Sequence, residues 1–280
     1  MPITTTLFSW YRSKAAALIT MLVPLAAVFG CAAVPPESDR EARAEFEARN
    51  DPLEPLNRRV YAFNRAVDAL FLKPAAIFYR ALTPPPVRTG VSNVLHNMKS
   101  PVILANDLMQ AEFARAGDTA ARFAINSTLG VGGIGDPAAD HFGIAKHGED
   151  FGQTLAVWGV GEGPLLMLPL LGPSNPRDAV GFAVDSFVLD PFAWWVRVRS
   201  DDRELYSYLR LGLTALDARS ANFEGIEDVE RNSLDPYAAL RSLYRQFRVK
   251  EINQGRAPAD FDVPDFDEIP DAEVPGSSPG

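Results

Sequence analysis

Asp51-Pro52-Leu53-Glu54-Pro55-Leu56-Asn57-Arg58-Arg59-Val60-Tyr61-Ala62-Phe63-Asn64-Arg65 opens the ordered part of this chain and sets its structural class. Asp51 suits a helix N-cap, Pro52 the first helical position, and Glu54 the return partner of a capping box. Leu53, Leu56, Val60, Phe63, Val67 and Leu70 then recur at alternating spacings of three and four. That period places them on one helical face, with Arg58, Arg59, Arg65 and Asp68 off it. Lys73-Pro74 is the expected stop.

The same punctuation recurs downstream. A short helix over 75–82 stops at Thr83-Pro84-Pro85-Pro86. Val87, Val91, Val94, Leu95 and Met98 mark another. Ser100-Pro101 starts a third that Gly117 ends, and Asp118 caps a fourth running to Leu129. Residues 130–148 are punctuated by glycine between apolar residues and read as a flexible apolar loop or helical hairpin. Residues 151–160 suit helix or strand. Leu165–Leu171 is a buried extended run broken by Pro169. Asn175-Pro176, Asp190-Pro191 and Asp235-Pro236 each repeat the cap-then-proline start, giving helices to about 189, across Trp194 and Trp195, and over 236–250; another covers about 202–218. The expected class is mainly α, a single domain of many short helices. Phe63, Phe71, Phe78 and Phe113 are most simply core. Trp194 and Trp195 point about 100° apart on a helix, so either packing or a membrane interface accounts for them.

The chain's 280 residues are 47% hydrophobic, with a formal net charge of −9. That acidity sets nucleic-acid binding aside, and gives no electrostatic attraction to anionic headgroups. Cys31 is the single cysteine, so neither an intramolecular disulfide nor a cysteine metal cage can form. It follows a basic segment, Arg12 and Lys14, and an apolar run over 15–29. Val28-Phe29-Gly30-Cys31 has the order of a lipobox. Residues 1–30 therefore read as a lipoprotein signal peptide, and Cys31 as the lipidation site, where two or more acyl chains give stable anchoring. Ala32 at the next position fits sorting to the outer membrane. Residues 31–50 read as a tether, 51–250 as the folded helical domain, and 251–280 as a disordered, acidic, proline-rich tail. No apolar span of about 20 residues follows Cys31, so the protein is expected to lie in one leaflet without a crossing helix.

Signals for chemistry are sparse. No Gly-x-Ser-x-Gly elbow appears. His96, His141 and His147 match no zinc spacing, and His141 and His147 read as solvated residues flanking a loop. Gly130, Gly132 and Gly135 spell a G-x-G-x-x-G, but a helix precedes it where a dinucleotide site needs a strand. Backbone freedom is the better physical reading.

Five segments together resemble the MlaA (VacJ) family of outer-membrane lipoproteins: Asp51–Arg58 with Tyr61–Asn64; Asn126–Asp136; Phe151–Leu155 with Trp158–Pro164; Leu168-Pro169 with Gly172–Ser174 and Arg177-Asp178; and Ser233–Tyr237. The resemblance implies a ring-like helical disc embedded in the inner leaflet of the outer membrane. Its central amphipathic passage would let mislocalised phospholipids leave the outer leaflet, maintaining lipid asymmetry. It further implies hand-over to a periplasmic lipid-binding carrier, association with a porin trimer, no cofactor, no metal and no enzymatic step. The family's glycine-rich gating hairpin maps onto Gly130, Gly132, Gly133 and Asp136. Arg58, Arg59, Asn64 and Arg65, off the first apolar stripe, are the candidate polar residues of the passage. An adaptor lipoprotein that passes no lipid and a periplasmic phospholipase are the rival classes.

Overall fold

A computed structural model describes residues 51–199 and 203–254. The expected signal segment, Cys31, the expected tether and all but the first four residues of the expected tail lie outside the described residues; residues 251 and 252, expected in the tail, are helical. The chain is mainly helical, as expected. It begins with α1 (Glu54–Val67), a π-helical turn over Asp68–Leu72, and α2 (Lys73–Leu82). Next come α3 (Pro85–Met109), α4 (Phe113–Thr128), α5 (Pro137–Asp140) and α6 (Phe151–Val157). A hairpin of β1 (Leu166–Leu168) and β2 (Gly172–Ser174) follows, antiparallel with Met167 opposite Pro173. The remainder is α7 (Pro176–Val184), a second π turn (Asp185–Leu189), α8 (Pro191–Arg199), α9 (Arg203–Ala221), α10 (Phe223–Asn232) and α11 (Pro236–Ile252).

Local signals hold where the cap side chain is free to turn back on its own helix. Asn175 accepts from the Asp178 N–H at 2.8 Å, and Asp235 from the Tyr237 N–H at 3.1 Å. Asp150 caps α6 in the same way, accepting from the Gln153 N–H at 2.9 Å. Asp51 departs from the expectation. Leu53 takes the cap position of α1 without a side-chain bond. The Asp51 carboxylate is instead drawn to the far end of the chain, accepting from Tyr237 Oη and pairing with Arg241 at 3.2 Å. Glu54 turns to Arg58 at 2.7 Å, so no capping box closes.

Three expected breaks are absent. Lys73-Pro74 does not stop the helix: the π turn already widens the backbone there, so the missing proline N–H falls at the junction with α2. Ser100-Pro101 lies inside the 25-residue α3, whose Asn97, Ser100, Val102, Ile103, Asn106 and Asp107 are buried. Tertiary packing on both sides outweighs the roughly 3 kcal/mol that an internal proline costs. Gly117 and Asp118 sit within α4, and the actual break falls at Ala111, with φ of 60°. An exposed helical glycine costs only about 1 kcal/mol, too little to end a packed helix. Helix α10, with Phe223, Ile226 and Val229 on one side, was not among the expected elements.

The largest departure is in what faces where. Phe63, Phe71, Phe78 and Phe113, expected in the core, are 51–71% exposed. Leu70, Leu82, Leu129, Val131, Trp194 and Trp195 are exposed as well. Among the described residues, buried polar and charged side chains outnumber buried apolar ones. A small apolar cluster of Leu165, Met167 and Tyr237, flanked by Val60, Tyr61, Leu240 and Tyr244, joins the hairpin to α1 and α11. Water-soluble domains bury the other way round. Apolar surface on this scale marks an interaction or membrane site. No described helix is long and apolar enough to cross a membrane.

Candidate functional site: an amphipathic cleft

The cleft begins where two helices touch backbone to backbone. A Cβ on Gly181 of α7 would lie 2.3 Å from the Gly152 N of α6. That contact sets Asp150, at the head of α6, beside Asp178 on α7. Arg248 of α11 reaches between them, 2.7 Å from Asp178 and 2.8 Å from Asp150. Tyr244 donates to Asp178 at 2.5 Å, and Arg177 pairs with it at 3.0 Å. Burial would raise the Asp150 carboxyl, but the Arg248 guanidinium and the Gln153 N–H outweigh it and hold it at about 2. Asp178 is likewise lowered on balance, by Arg248 and Tyr244 against its burial.

The second π turn supplies the other polar wall. Its extra residue per turn begins at Asp185, which accepts from Asn106 Nδ2 at 3.0 Å and from the Phe151 N–H at 3.0 Å. Burial pushes the Asp185 carboxyl up, more than these bonds lower it. Asp190 closes the turn against Arg210 of α9. Around these groups the cleft opens to about 490 Å³. Val102, Leu168, Leu171, Pro173 and Phe182 give it an apolar wall; Lys99, Ser186, Thr214 and Tyr244 join the carboxylates and arginines on the polar side. Apolar and charged groups thus share one space, as a molecule with a polar end and a greasy end requires.

A buried polar chain extends from the cleft into α3, α4 and the strap before α6. Asn106 accepts from Thr154 Oγ1 at 2.8 Å. Gln110 donates to Glu149 at 2.9 Å, and Arg115 pairs with Glu149 at 2.5 Å. His147, expected to be solvated, is partly buried; its Nε2 lies 3.3 Å from Asp107 and 3.1 Å from Thr119 Oγ1. Both contacts fall on one ring nitrogen, whereas a hydrolytic relay holds its acid and its nucleophile on opposite nitrogens. Thr119 also donates to Asp107 at 2.6 Å, so its oxygen is committed to that carboxylate. Among the described residues no group of three His, Cys, Asp or Glu could hold a metal ion.

The glycine loop is a tight structure pinned at its base. Asp136 caps α5 and receives Arg122 at 2.7 Å and Asn126 at 2.9 Å. Gly133 packs on Asn97, and Asn93 donates to the Ile134 carbonyl at 3.1 Å. Leu129, Val131, Ile134 and Phe142 remain exposed at its rim. Gly132 (φ 72°) and Gly133 (φ 94°) both need the left-handed region, but a Cβ on Gly132 meets open space while one on Gly133 lies 2.7 Å from Asn97 Cβ. Gly132→Ala is therefore expected to cost about 1 kcal/mol, and Gly133→Ala more, because Asn97 must also move. Thermal unfolding and proteolysis within 129–148 would compare them; equal behaviour would mean that Asn97 yields freely.

The four polar candidates of α1 do not line the cleft. Arg58 pairs with Asp235 at 2.5 Å and stacks over Tyr237. Asn64 clamps the hairpin, donating to the Leu168 carbonyl at 2.9 Å and accepting from the Leu170 N–H at 2.8 Å. Arg65 meets Glu230 at 3.1 Å, and Arg59 is exposed. The residues that do form the cleft were not among the expected site residues, although Arg177-Asp178 and Phe151-Gly152 both belong to the segments that carry the family resemblance.

Residues 49–251 match the family described as MlaA lipoprotein. A protein of Rickettsia bellii, described as uncharacterized, is 34% identical over 76% of this chain and 80% of its own length. The "Intermembrane phospholipid transport system lipoprotein MlaA" of Haemophilus influenzae is 30% identical over 87% of this chain and 93% of its own. A solved structure described as "Structural basis for maintenance of bacterial outer membrane lipid asymmetry" superposes with a TM-score of 0.63 at 30% identity, covering 72% of this chain and 99% of that one.

Proposed function

This chain belongs to the MlaA lipoprotein family, and from that premise we propose that it removes mislocalised phospholipids from the outer leaflet of the outer membrane and so maintains lipid asymmetry. The observation that carries this reading is the cleft, a polar-and-apolar space in a helical body that exposes many large apolar side chains. Helices satisfy their own backbone polar groups, so such a body can lie among acyl chains without unpaired N–H or C=O groups. A headgroup crossing hydrocarbon unaided loses its hydration. The carboxylates, arginines and hydroxyls of the cleft would replace that hydration, while the tails keep to Leu168, Leu171 and Phe182.

In this reading Cys31 carries the acyl anchor, and the exposed phenylalanines and tryptophans form the rim seated in the inner leaflet. The loop of Gly130, Gly132, Gly133 and Asp136 is not part of the cleft's own lining; it controls the opening through α3 and α4, to which Asn97, Arg122 and Asn126 pin it. A periplasmic lipid-binding carrier receives the lipid, and a porin trimer holds the disc in place. Arg58, Asn64 and Arg65 act indirectly, by holding α1 to the hairpin and to the C-terminal helices.

Filling the cleft tests the proposal. Ser186→Trp places an indole in the space without removing any of its ion pairs. In cells that depend on this chain, surface labelling of phospholipid amines should rise to the level of cells lacking it, with protein abundance unchanged. Normal surface lipid with a folded variant would mean that lipid takes another route. Lyso-phospholipid products dependent on the chain would favour the phospholipase class.

A further inference from the structure

The charged groups around the cleft fall into two compensated sets and a remainder. Arg177 and Arg248 neutralise Asp150 and Asp178, and Arg210 neutralises Asp190. Lys99 and Asp185 are left over. Lys99 lines the cleft from α3, is exposed, and makes no ion pair or side-chain hydrogen bond among the described residues. Asp185 lines it from the π turn, 9% exposed, and meets only neutral donors, Asn106 and the Phe151 N–H, one on each oxygen. The cleft thus offers one positive and one negative charge that make no direct ion pair; Lys99 acts on Asp185 only through space, and that does not offset the carboxyl's burial. A buried carboxylate without a cation is costly, and burial indeed raises this carboxyl.

We propose that the cleft is matched to a zwitterionic phospholipid bearing a primary ammonium, its phosphodiester held by Lys99 and its ammonium by Asp185. The inference rests on the reading of the cleft as the lipid passage. An ammonium donates hydrogen bonds and brings a positive charge, and each Asp185 oxygen, already accepting one bond, keeps a lone pair for it. An anionic lipid with a glycerol headgroup satisfies Lys99 but leaves Asp185 without a counter-charge. The volume, about 490 Å³, lies within the roughly 300–1,000 Å³ of small-ligand sites, so it takes a headgroup and its backbone while the tails run along the apolar wall.

The test uses the full chain in detergent micelles, titrated calorimetrically with dihexanoyl phosphatidylethanolamine and dihexanoyl phosphatidylglycerol. The ethanolamine lipid is expected to bind about tenfold more tightly, the worth of one charge-assisted hydrogen bond. Asp185→Asn should abolish that preference, and Lys99→Gln should weaken both lipids about equally. Equal binding by the unsubstituted chain, or a preference that survives Asp185→Asn, would overturn the headgroup assignment and leave the passage intact. Binding of neither lipid would overturn the passage reading as well. If Asp185→Asn loses its helical circular dichroism, the unsubstituted chain is titrated with N-acetylated dihexanoyl phosphatidylethanolamine, which keeps the phosphodiester and lacks the ammonium. It should bind about tenfold more weakly than the free amine lipid, and equal binding would overturn the proposal.

Discussion

Arg248→Met is expected to cost the folded state about 3–5 kcal/mol at neutral pH, the range for removing one partner from a buried ion pair. The side chain lies 10% exposed between Asp150 and Asp178, and its loss leaves both carboxylates inside the fold with reduced compensation. The pH dependence gives a second signature. Both carboxyls are held below their unfolded value of about 3.9, Asp150 at about 2. A depressed carboxyl contributes stability above its unfolded pKa that is lost as pH falls through its folded pKa. The unsubstituted chain should therefore hold its stability down to about pH 4 and lose it towards pH 2. In Arg248→Met, burial unopposed by the guanidinium favours the neutral acids, so the deficit should shrink as pH falls. Denaturant unfolding followed by helical circular dichroism at pH 7 and pH 4 reads both effects. A deficit under about 1 kcal/mol at pH 7 would mean that water in the cleft already screens the carboxylates.

Gly181→Ala carries the second large effect, and it acts on backbone. The added Cβ would sit 2.3 Å from the Gly152 N and 2.7 Å from its Cα. A flexible side chain could swing away from such a contact, but the start of α6 cannot. The two helices must part, and Asp150 and Asp178 ride on opposite sides of the opening, out of reach of a single Arg248. We expect a loss of about 3 kcal/mol or more, at or beyond the upper end for overpacking, with lipid transport abolished. Gly117→Ala is the control. It is a helical glycine whose Cβ meets nothing within 4 Å, so it should raise stability by about 0.5–1 kcal/mol. Comparable melting temperatures for the two variants would show that α6 and α7 are not locked at this contact.

The amino-acid order by itself determined the helical class and most helix starts, because a cap followed by proline is a local event. Asn175, Asp190 and Asp235 each precede a proline and each open a helix. It also carried the family resemblance, and with it the glycine loop. Tertiary structure decided continuity at Pro74 and Pro101, where burial on both flanks overrides a local breaker. It decided which way the apolar stripes face, since periodicity reports that a helix has a greasy side and not whether protein or lipid covers it. Phe63 on the first stripe is 51% exposed, while Asn57 on the same helix is 2% exposed. It also decided the site. Arg248 meets carboxylates 98 and 70 residues away, and Asp185 is left without an ion pair only once the cleft's arginines have taken other carboxylates. Those pairings arise from helices brought together late in the chain, which no local pattern encodes.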